Sequence, residues 1–438
     1  LEFRRVLFRS LYRAGAGARR SETYVICVPP PNVTGELHMG HALNGSIQDA
    51  LIRWHRMRGY DTLWQPGYDH AGISTQNVVE KQLIAEGTSR QQIGREAFLA
   101  RTWTWLEQTG RTIMGQFRQL GCSLDYSRER FTMDDGYVDA VMAYFVRLWQ
   151  AGYIYRADRI VNWCPFHQTA ISDLEVEYVE MDDRLTYVRY PFADGSGSIT
   201  IATVRPATIL GDVAVAVNPN DPRYRGAIGK EVVVPVTGRR IPVIADERVE
   251  IAFGSGALKI TPGHDPTDFE IGRDHGLETL SAIGLDGRLT DLLPEWEGLT
   301  AEEGHARAVE RLRETGALRT EIPYRHSVGF CQRSGARIEP LVSLQWFCRM
   351  DELAAPAIDV VKSGEVRFHP DRMAKIYLDW MEAIRPWCVS RQLWWGHRLP
   401  VWFAPDGTYV VQVERPEGED RKSTRLNSSH VSESRMPS

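Results

Sequence analysis

The sequence contains no apolar run long enough to cross a bilayer and no secretory hydrophobic segment, so neither a membrane-spanning helix nor an export signal is expected. Cysteine is sparse. Six residues (Cys27, Cys122, Cys164, Cys331, Cys348, Cys388) are scattered rather than spaced as a framework, which excludes a disulfide-stapled scaffold and points to a reducing, cytoplasmic setting. An excess of one charge is also lacking. Lys and Arg number 52 against 57 Asp and Glu, a net charge of −5, which argues against a wholly basic nucleic-acid coat but leaves room for a local basic groove. No internal repeat or low-complexity stretch interrupts the body of the chain. The 438 residues, 43% of them hydrophobic, suffice for two or more domains.

The ends read differently from the rest. Residues 1–10 (LEFRRVLFRS) and the DRKSTRLNS stretch from Asp420 can be encoded by opposite strands of one oligonucleotide. Residues 1–10 and 420–438 are therefore read as translated adapter and left out of fold reasoning, which makes the chain a fragment cut at both sides.

The most informative segment is Pro29-Pro30-Pro31-Asn32-Val33-Thr34-Gly35-Glu36-Leu37-His38-Met39-Gly40-His41. A strand from Thr23 to Val28 ends in three prolines that cannot continue a ladder. Gly35 permits a turn, and a helix opens near Met39 with Met39, Leu43, Ile47, Leu51, Trp54 and Met57 on one face, read as its buried stripe. Two histidines thus sit at a helix N-terminus, where free N–H groups and the helix dipole attract phosphate.

Strands and helices alternate to about Val79, the pattern of a parallel α/β sheet, with Asp61–Gln65 as the second strand. A helix from Arg90 is expected to bury Phe98, Leu99, Trp103, Leu106, Ile113, Met114 and Phe117 and to stop at Gly121. The next helix is expected to be capped by Thr132 and to bury Tyr137, Val141, Tyr144, Phe145, Leu148 and Trp149. From Glu175 to Tyr324 short Val/Ile-rich runs (198–204, 213–217, 230–236, 240–244, 258–261) alternate with Gly/Pro/Asp turns, as in a β-barrel or sandwich. The α/β texture then resumes, so 175–324 reads as an insertion between halves at 21–174 and 325–419.

The string PPPNVTGELHMGHAL resembles the first signature of the class I aminoacyl-tRNA synthetases, in the form found in their valyl branch, and the likeness extends over roughly Ser21 to Phe403. It implies an α/β, Rossmann-like parallel-sheet catalytic domain interrupted by a β-barrel-type editing domain. It also implies ATP-dependent activation of valine and its transfer to tRNA(Val), with Mg2+ accompanying the ATP and a monomer acting in the cytoplasm. His38 and His41 would be catalytic, with Gly40 and Asn44 joining them around ATP. Asp69, in Pro66-Gly67-Tyr68-Asp69-His70-Ala71-Gly72, would hold the valine ammonium, and the alternative is that it caps the helix beginning near Ala71. Pro30, Pro31 and Asn32 would line the valine site with Trp346, from Pro340-Leu341-Val342-Ser343-Leu344-Gln345-Trp346-Phe347. The stretch Trp387-Cys388-Val389-Ser390-Arg391-Gln392-Leu393-Trp394-Trp395-Gly396-His397 nearly matches a further signature. The chain departs from the branch at Tyr68, where Thr is usual.

A pocket that excludes isoleucine by size cannot strongly reject the near-isosteric threonine, a limit for which the valyl enzymes are the standard illustration. The resemblance accordingly implies hydrolysis of Thr-tRNA(Val) by the insertion. Thr203, Arg205, Thr208 and Lys259 would meet the tRNA terminus and the misplaced hydroxyl, Asp265 the amino group, and Asp268 the site or its water. Surface ion pairs are the other reading of these charges. Ala207 and Val204 replace the usual Glu and Thr, a departure that bears on editing strength. Cys164, His167 and Cys331 have partial metal-ligand spacing, with His326 or water as a fourth ligand, and read as a knuckle that has lost its zinc. The Lys-rich KMSKS loop does not occur before Asp420, so no complete aminoacylation cycle is expected of this chain. Two other readings stand beside this one. A small-cofactor nucleotidyltransferase would share the histidine-bearing helix, and a stand-alone tRNA-binding or editing module would need only residues 175–324.

Overall fold

The computed structural model describes residues 12–416 and the backbone of 422–423. The two segments read as adapter lie outside the described residues, except that Lys422–Ser423 pairs antiparallel with Trp402 and Phe403. The chain divides into two compact units, one running to Gly152 and resuming at Gln392, the other spanning Tyr153–Arg391. No described helix is long and apolar enough to cross a membrane.

In the first unit β1 (Thr23–Cys27) pairs in parallel with β2 (Asp61–Gln65), from Thr23 opposite Asp61 to Cys27 opposite Gln65. A parallel pair needs a crossover, and α1 (Met39–Met57) supplies it. Beyond β2 lie the short β3 (Gly67–Tyr68), α2 (Gly72–Ala85), one helical turn α3 (Arg90–Ile93) and α4 (Arg95–Gln119). The expected helix from Arg90 is thus broken at Gly94, whose φ of 78° no α-helix contains. Its stripe holds for Phe98, Leu106, Ile113, Met114 and Phe117, while Trp103 faces solvent. Then come β4 (Arg130–Phe131), paired in parallel with β3, and α5 (Asp135–Gln150). Val28, Val33, Ile52, Trp64, Phe117, Leu124 and Trp395 form the unit's core.

Two expected stripes are corrected. On α1 the buried residues are Gly45 and Ile52, and Met39, Leu43, Ile47, Leu51, Trp54 and Met57 are 42–81% exposed. The helix docks through its other face. A Cβ on Gly45 would already touch Phe117 (3.7 Å), Gln48 accepts the Trp64 indole N–H (2.9 Å), and Asp49 accepts the Ser123 backbone N–H (2.9 Å). Polar anchors and a close approach decide the docking face here, and apolar periodicity does not. On α5 only Phe145 is buried, and Tyr137 and Tyr144 are exposed. Its N-cap is Asp134, which accepts the Tyr137 N–H at 2.9 Å, so Thr132 is not the cap.

The second unit is β-rich. Antiparallel β5 (Ile154–Cys164) and β6 (Thr169–Ile171) join a sheet with β14 (Glu339–Cys348) and β15 (Trp387–Cys388). A second sheet has the order β13-β7-β8, from β7 (Val176–Pro191), β8 (Ser198–Thr203) and β13 (Leu318–Cys331). A third has the order β10-β11-β9-β12, from β9 (Ala214–Val217), β10 (Glu231–Val233), β11 (Arg240–Ala245) and β12 (Ala257–Ile260), with β11 and β9 parallel. These strands coincide closely with the five short runs expected from sequence. Helices α6 (Pro266–Asp274) and α7 (Ala301–Glu314) follow β12, and Val188, Tyr190, Ile201, Ile209, Val215, Val243 and Trp296 fill the core between elements.

Candidate active site

The N-terminus of α1 is built from its histidines. His38 is the N-cap: its Nδ1 accepts the Gly40 N–H at 3.1 Å, and His41 Nδ1 accepts the His38 N–H at 3.1 Å. A nitrogen that accepts carries no proton, so both neutral rings hold theirs on Nε2, which these caps leave available as a donor. Burial, then the neighbouring His38, lowers the pKa of His41, which favours that neutral form. A cleft of about 150 Å3 opens here, lined by Val28, Pro29, His38, Gly40, His41, Asn44, Gly45 and Phe117. The four residues expected around ATP therefore share one cavity.

The proline loop and the loop after β2 are stitched together. The Asp69 N–H donates to Pro31 O (2.8 Å) and the Val33 N–H to Asp69 O (3.1 Å), a parallel bridge that sets Asn32 beside Asp69. The Asp69 carboxylate accepts from the Thr132 hydroxyl at 2.7 Å and lies 3.2 Å from His70 Nδ1. Burial alone would raise its pKa, but His70 and Thr132 hold it below the ordinary value, so it remains an anion. The helix that follows has Ala71 as its N-cap with no side-chain cap bond, and the Ala71 backbone N–H meets the Asp69 carboxylate just ahead of it. Tyr68 packs on Phe131 (centroids 5.1 Å) and against Gly110, where a Cβ would come within 3.1 Å of its ring. Trp346 belongs to the second unit, on β14, buried, its N–H donating to Ser390 Oγ at 3.0 Å.

The second unit carries its own polar cluster. Asp212 is wholly buried. It accepts from Tyr190 OH (2.6 Å), Thr261 Oγ1 (2.7 Å) and Lys259 Nζ (3.1 Å). Asp268 is buried beside it and accepts the Thr261 N–H (2.9 Å); burial and then the charge of Asp265 push its carboxyl up to about 7. Asp265 caps α6 by accepting the N–H groups of Thr267 and Asp268. Arg205 forms a short ion pair with Glu339, and Thr203 and Thr208 brace its backbone: Thr203 Oγ1 accepts its N–H (3.0 Å), and Thr208 Oγ1 donates to its O (2.9 Å). His264 is buried and lowered to about 3, by burial and then by Arg205. Ala207 is fully buried in the apolar core.

Cys164, His167 and Cys331 are all buried, with donor atoms within 4.8 Å of one another. Cys164 ends β5, His167 lies in the turn that follows it, and Cys331 ends β13. His167 Nδ1 is 3.3 Å from Cys164 Sγ and 3.8 Å from Cys331 Sγ, and Ser334 Oγ is 3.5 Å from Cys164 Sγ. His326 is not part of this group, being 3.5 Å from Asp183. Sulfur and imidazole donors at this spacing suit a borderline-soft divalent ion.

Asp212, Thr261 and His264 join these clusters without any assignment from sequence, and Thr132 does so where the sequence suggests only a helix cap. Each acts through a partner far along the chain, and only GDVAVAV and the alternation around Lys259 hint that two strand ends meet.

A model of the tRNA synthetases class I (I, L, M and V) matches residues 9–436. A valine–tRNA ligase of Dehalococcoides mccartyi (strain ATCC BAA-2266) is 51% identical over 393 residues, 90% of this chain and 45% of that protein. Those of Bacillus licheniformis and Bacillus subtilis are 52% and 49% identical over 90% and 93% of this chain. The chain spans about 45% of the length of the relatives it matches. A solved LeuRS–tRNA complex from Agrobacterium radiobacter K84 aligns at 18% identity and a TM-score of 0.42, over 94% of this chain and 51% of that one, too slight a likeness to bear on the fold.

Proposed function

The chain belongs to the class I tRNA synthetases (I, L, M and V), and on that premise we propose that it carries the valine-activating site of a valine–tRNA ligase. The observation that carries this reading is the pair of Nε2–H donors at the mouth of the α1 cleft, in the same unit as an Asp69 carboxylate kept ionised. ATP would lie with its phosphates at the α1 N-terminus, near His38, Gly40, His41 and Asn44, with Mg2+ as its counter-ion. Asp69 would pair with the valine ammonium, and Pro30, Pro31 and Asn32 would line the amino acid. The valine carboxylate attacks the α-phosphate; the new P–O bond forms as pyrophosphate leaves, and His38 and His41 donate to phosphate oxygens as charge builds. Transfer to the 3′ end of tRNA(Val) follows in the full-length protein, taken to be a cytoplasmic monomer. The names of the relatives support valine over the other amino acids of the family.

Residues 175–324 would be a β-barrel-type editing domain inserted between halves 21–174 and 325–419 of a Rossmann-like domain, with hydrolysis of Thr-tRNA(Val) as its task. The buried cluster of Asp212, Lys259, Thr261 and Asp268 favours this reading, since buried charge is retained only where it is fully paired or used. Arg205, Thr203, Thr208 and Asp265 would complete the site. The sequence reads as a knuckle that has lost its zinc, but the three buried donors lie close enough to favour the opposite: Cys164, His167 and Cys331 would hold a zinc ion, with water fourth, and so tie the ends of β5 and β13 together.

The binding step is tested on the chain itself with non-hydrolysable aminoacyl-sulfamoyl adenosines. The valyl compound is expected to raise the melting temperature more than the threonyl one, and the isoleucyl compound to leave it unchanged. Equal shifts from all three, or none, would remove the valine assignment.

A further inference from the structure

The geometry points to Thr132, anchored from behind by His397, as the positioning residue of the ammonium site at Asp69. This inference rests on reading Asp69 as the partner of the amino acid's ammonium group.

Two segments meet at one hydroxyl, and a third reaches the backbone carbonyl of the same residue. Thr132 Oγ1 donates its single proton to Asp69 Oδ1 at 2.7 Å. It accepts the His70 backbone N–H at 2.9 Å and lies 2.7 Å from His70 Nδ1. A hydroxyl has one proton and two lone pairs, so once its proton goes to Asp69, the His70 ring must donate from Nδ1. The hydroxyl is then fully used. Because the α5 cap is Asp134, no helix end competes for it.

Thr132 is itself held in place. Its N–H donates to Tyr68 O at 3.3 Å, and its O accepts from His397 Nε2 at 2.6 Å. A carbonyl can only accept, so His397 carries its proton on Nε2. The Trp395 indole N–H donates to His70 O at 2.8 Å, closing the loop. His70 and His397 stand ring to ring with centroids 4.7 Å apart, and burial and then His70 favour the neutral form of His397. The groups whose charge bears on Asp69 are His70, from its own loop, and His397, from the segment after the second unit. Asp69 therefore does not choose its own rotamer. One oxygen is engaged by Thr132 and His70, and the Ala71 backbone N–H also bonds the carboxylate, so its orientation is set by the protein around it.

The test uses Thr132→Val, which keeps the shape and removes the hydroxyl, and Thr132→Ser, which restores it. In full-length protein Thr132→Val is expected to raise KM for valine about tenfold or more with kcat little changed, and Thr132→Ser to restore KM. In the chain itself, carbon-13 titration of Asp69 is expected to give a higher pKa in Thr132→Val and an unchanged one in Thr132→Ser. A fold-damaging substitution would lower kcat and the melting temperature without this split. If Asp69 titrates identically in Thr132→Val and the parent, the positioning role is wrong. Absence of valine-dependent activity in the unsubstituted protein would instead overturn the valine reading alone, and the titration, which needs no substrate, would still decide the role of Thr132.

Discussion

Gly40 has no space for a methyl group because of His38: a Cβ built on Gly40 would lie 2.9 Å from Cε1 and 3.0 Å from Nδ1 of that ring. The glycine keeps the cap bond, and the cap bond fixes which imidazole nitrogen carries the proton. Gly40→Ala is therefore expected to turn the His38 ring away and weaken ATP binding without unfolding the first unit. His41→Ala, which removes a phosphate donor outright, is expected to lower the activation rate by roughly 10²-fold, the usual cost of one such donor. Steady-state kinetics against ATP separates the two, since the first acts mainly on KM and the second mainly on kcat.

The second unit should lose stability at both ends of the pH scale, for opposite reasons. Asp268 is raised in the folded state, so its contribution is fully present below the ordinary carboxyl range and is lost as pH rises toward about 7. His264 is lowered to about 3 by burial and then by the charge of Arg205, and its Nε2 accepts the Ala282 N–H (2.7 Å), which suits the neutral ring. The unfolded chain then binds the proton better, and stability falls as pH drops below the ordinary imidazole value. Asp268→Asn, which can still accept from the Thr261 N–H, should raise the melting temperature at pH 8 and not at pH 4. A pH series of thermal melts on both proteins checks the sign.

Removing the Asp212 charge strands Lys259 in a buried site. Asp212→Asn is expected to slow hydrolysis of Thr-tRNA(Val) by an order of magnitude or more, while valine activation, which uses the first unit, stays at its parent rate. Deacylation assays run beside activation assays on the same preparation decide this, and an equal loss in both would mean general unfolding.

The cysteine–histidine group yields a metal test. The purified chain is expected to contain about one zinc per molecule, and Cys331→Ser to lose it, since a two-donor remnant binds poorly. Chelation should lower the melting temperature of the parent but not of Cys331→Ser. Elemental analysis with parallel melts gives both readings.

Much of this was legible in the sequence where the signal is local. The strand, proline stop and histidine-bearing helix start lie within twenty residues, and β1, β2 and α1 form where the pattern puts them. Short β runs between turns give their own boundaries as well. Legibility ends where a residue's partner is distant. Periodicity picks out the apolar face of α1, yet the helix docks through Gly45, Gln48 and Asp49, whose partners Phe117, Trp64 and Ser123 sit on other elements. Thr132 looks like a helix cap because a cap is a local motif, and its bond to Asp69 spans 63 residues. Asp212 carries no signal of its own in the sequence, and its partners Lys259 and Thr261 lie 47 and 49 residues away.

The most direct measurement is ATP–pyrophosphate exchange by the full-length protein with valine, threonine and isoleucine in turn. Strong exchange with valine, weaker with threonine and little with isoleucine, all abolished by Asp69→Ala, is the expected result. Exchange that ignores the amino acid, or that survives Asp69→Ala with valine unchanged, would contradict a valine-activating site built on His38, His41 and Asp69.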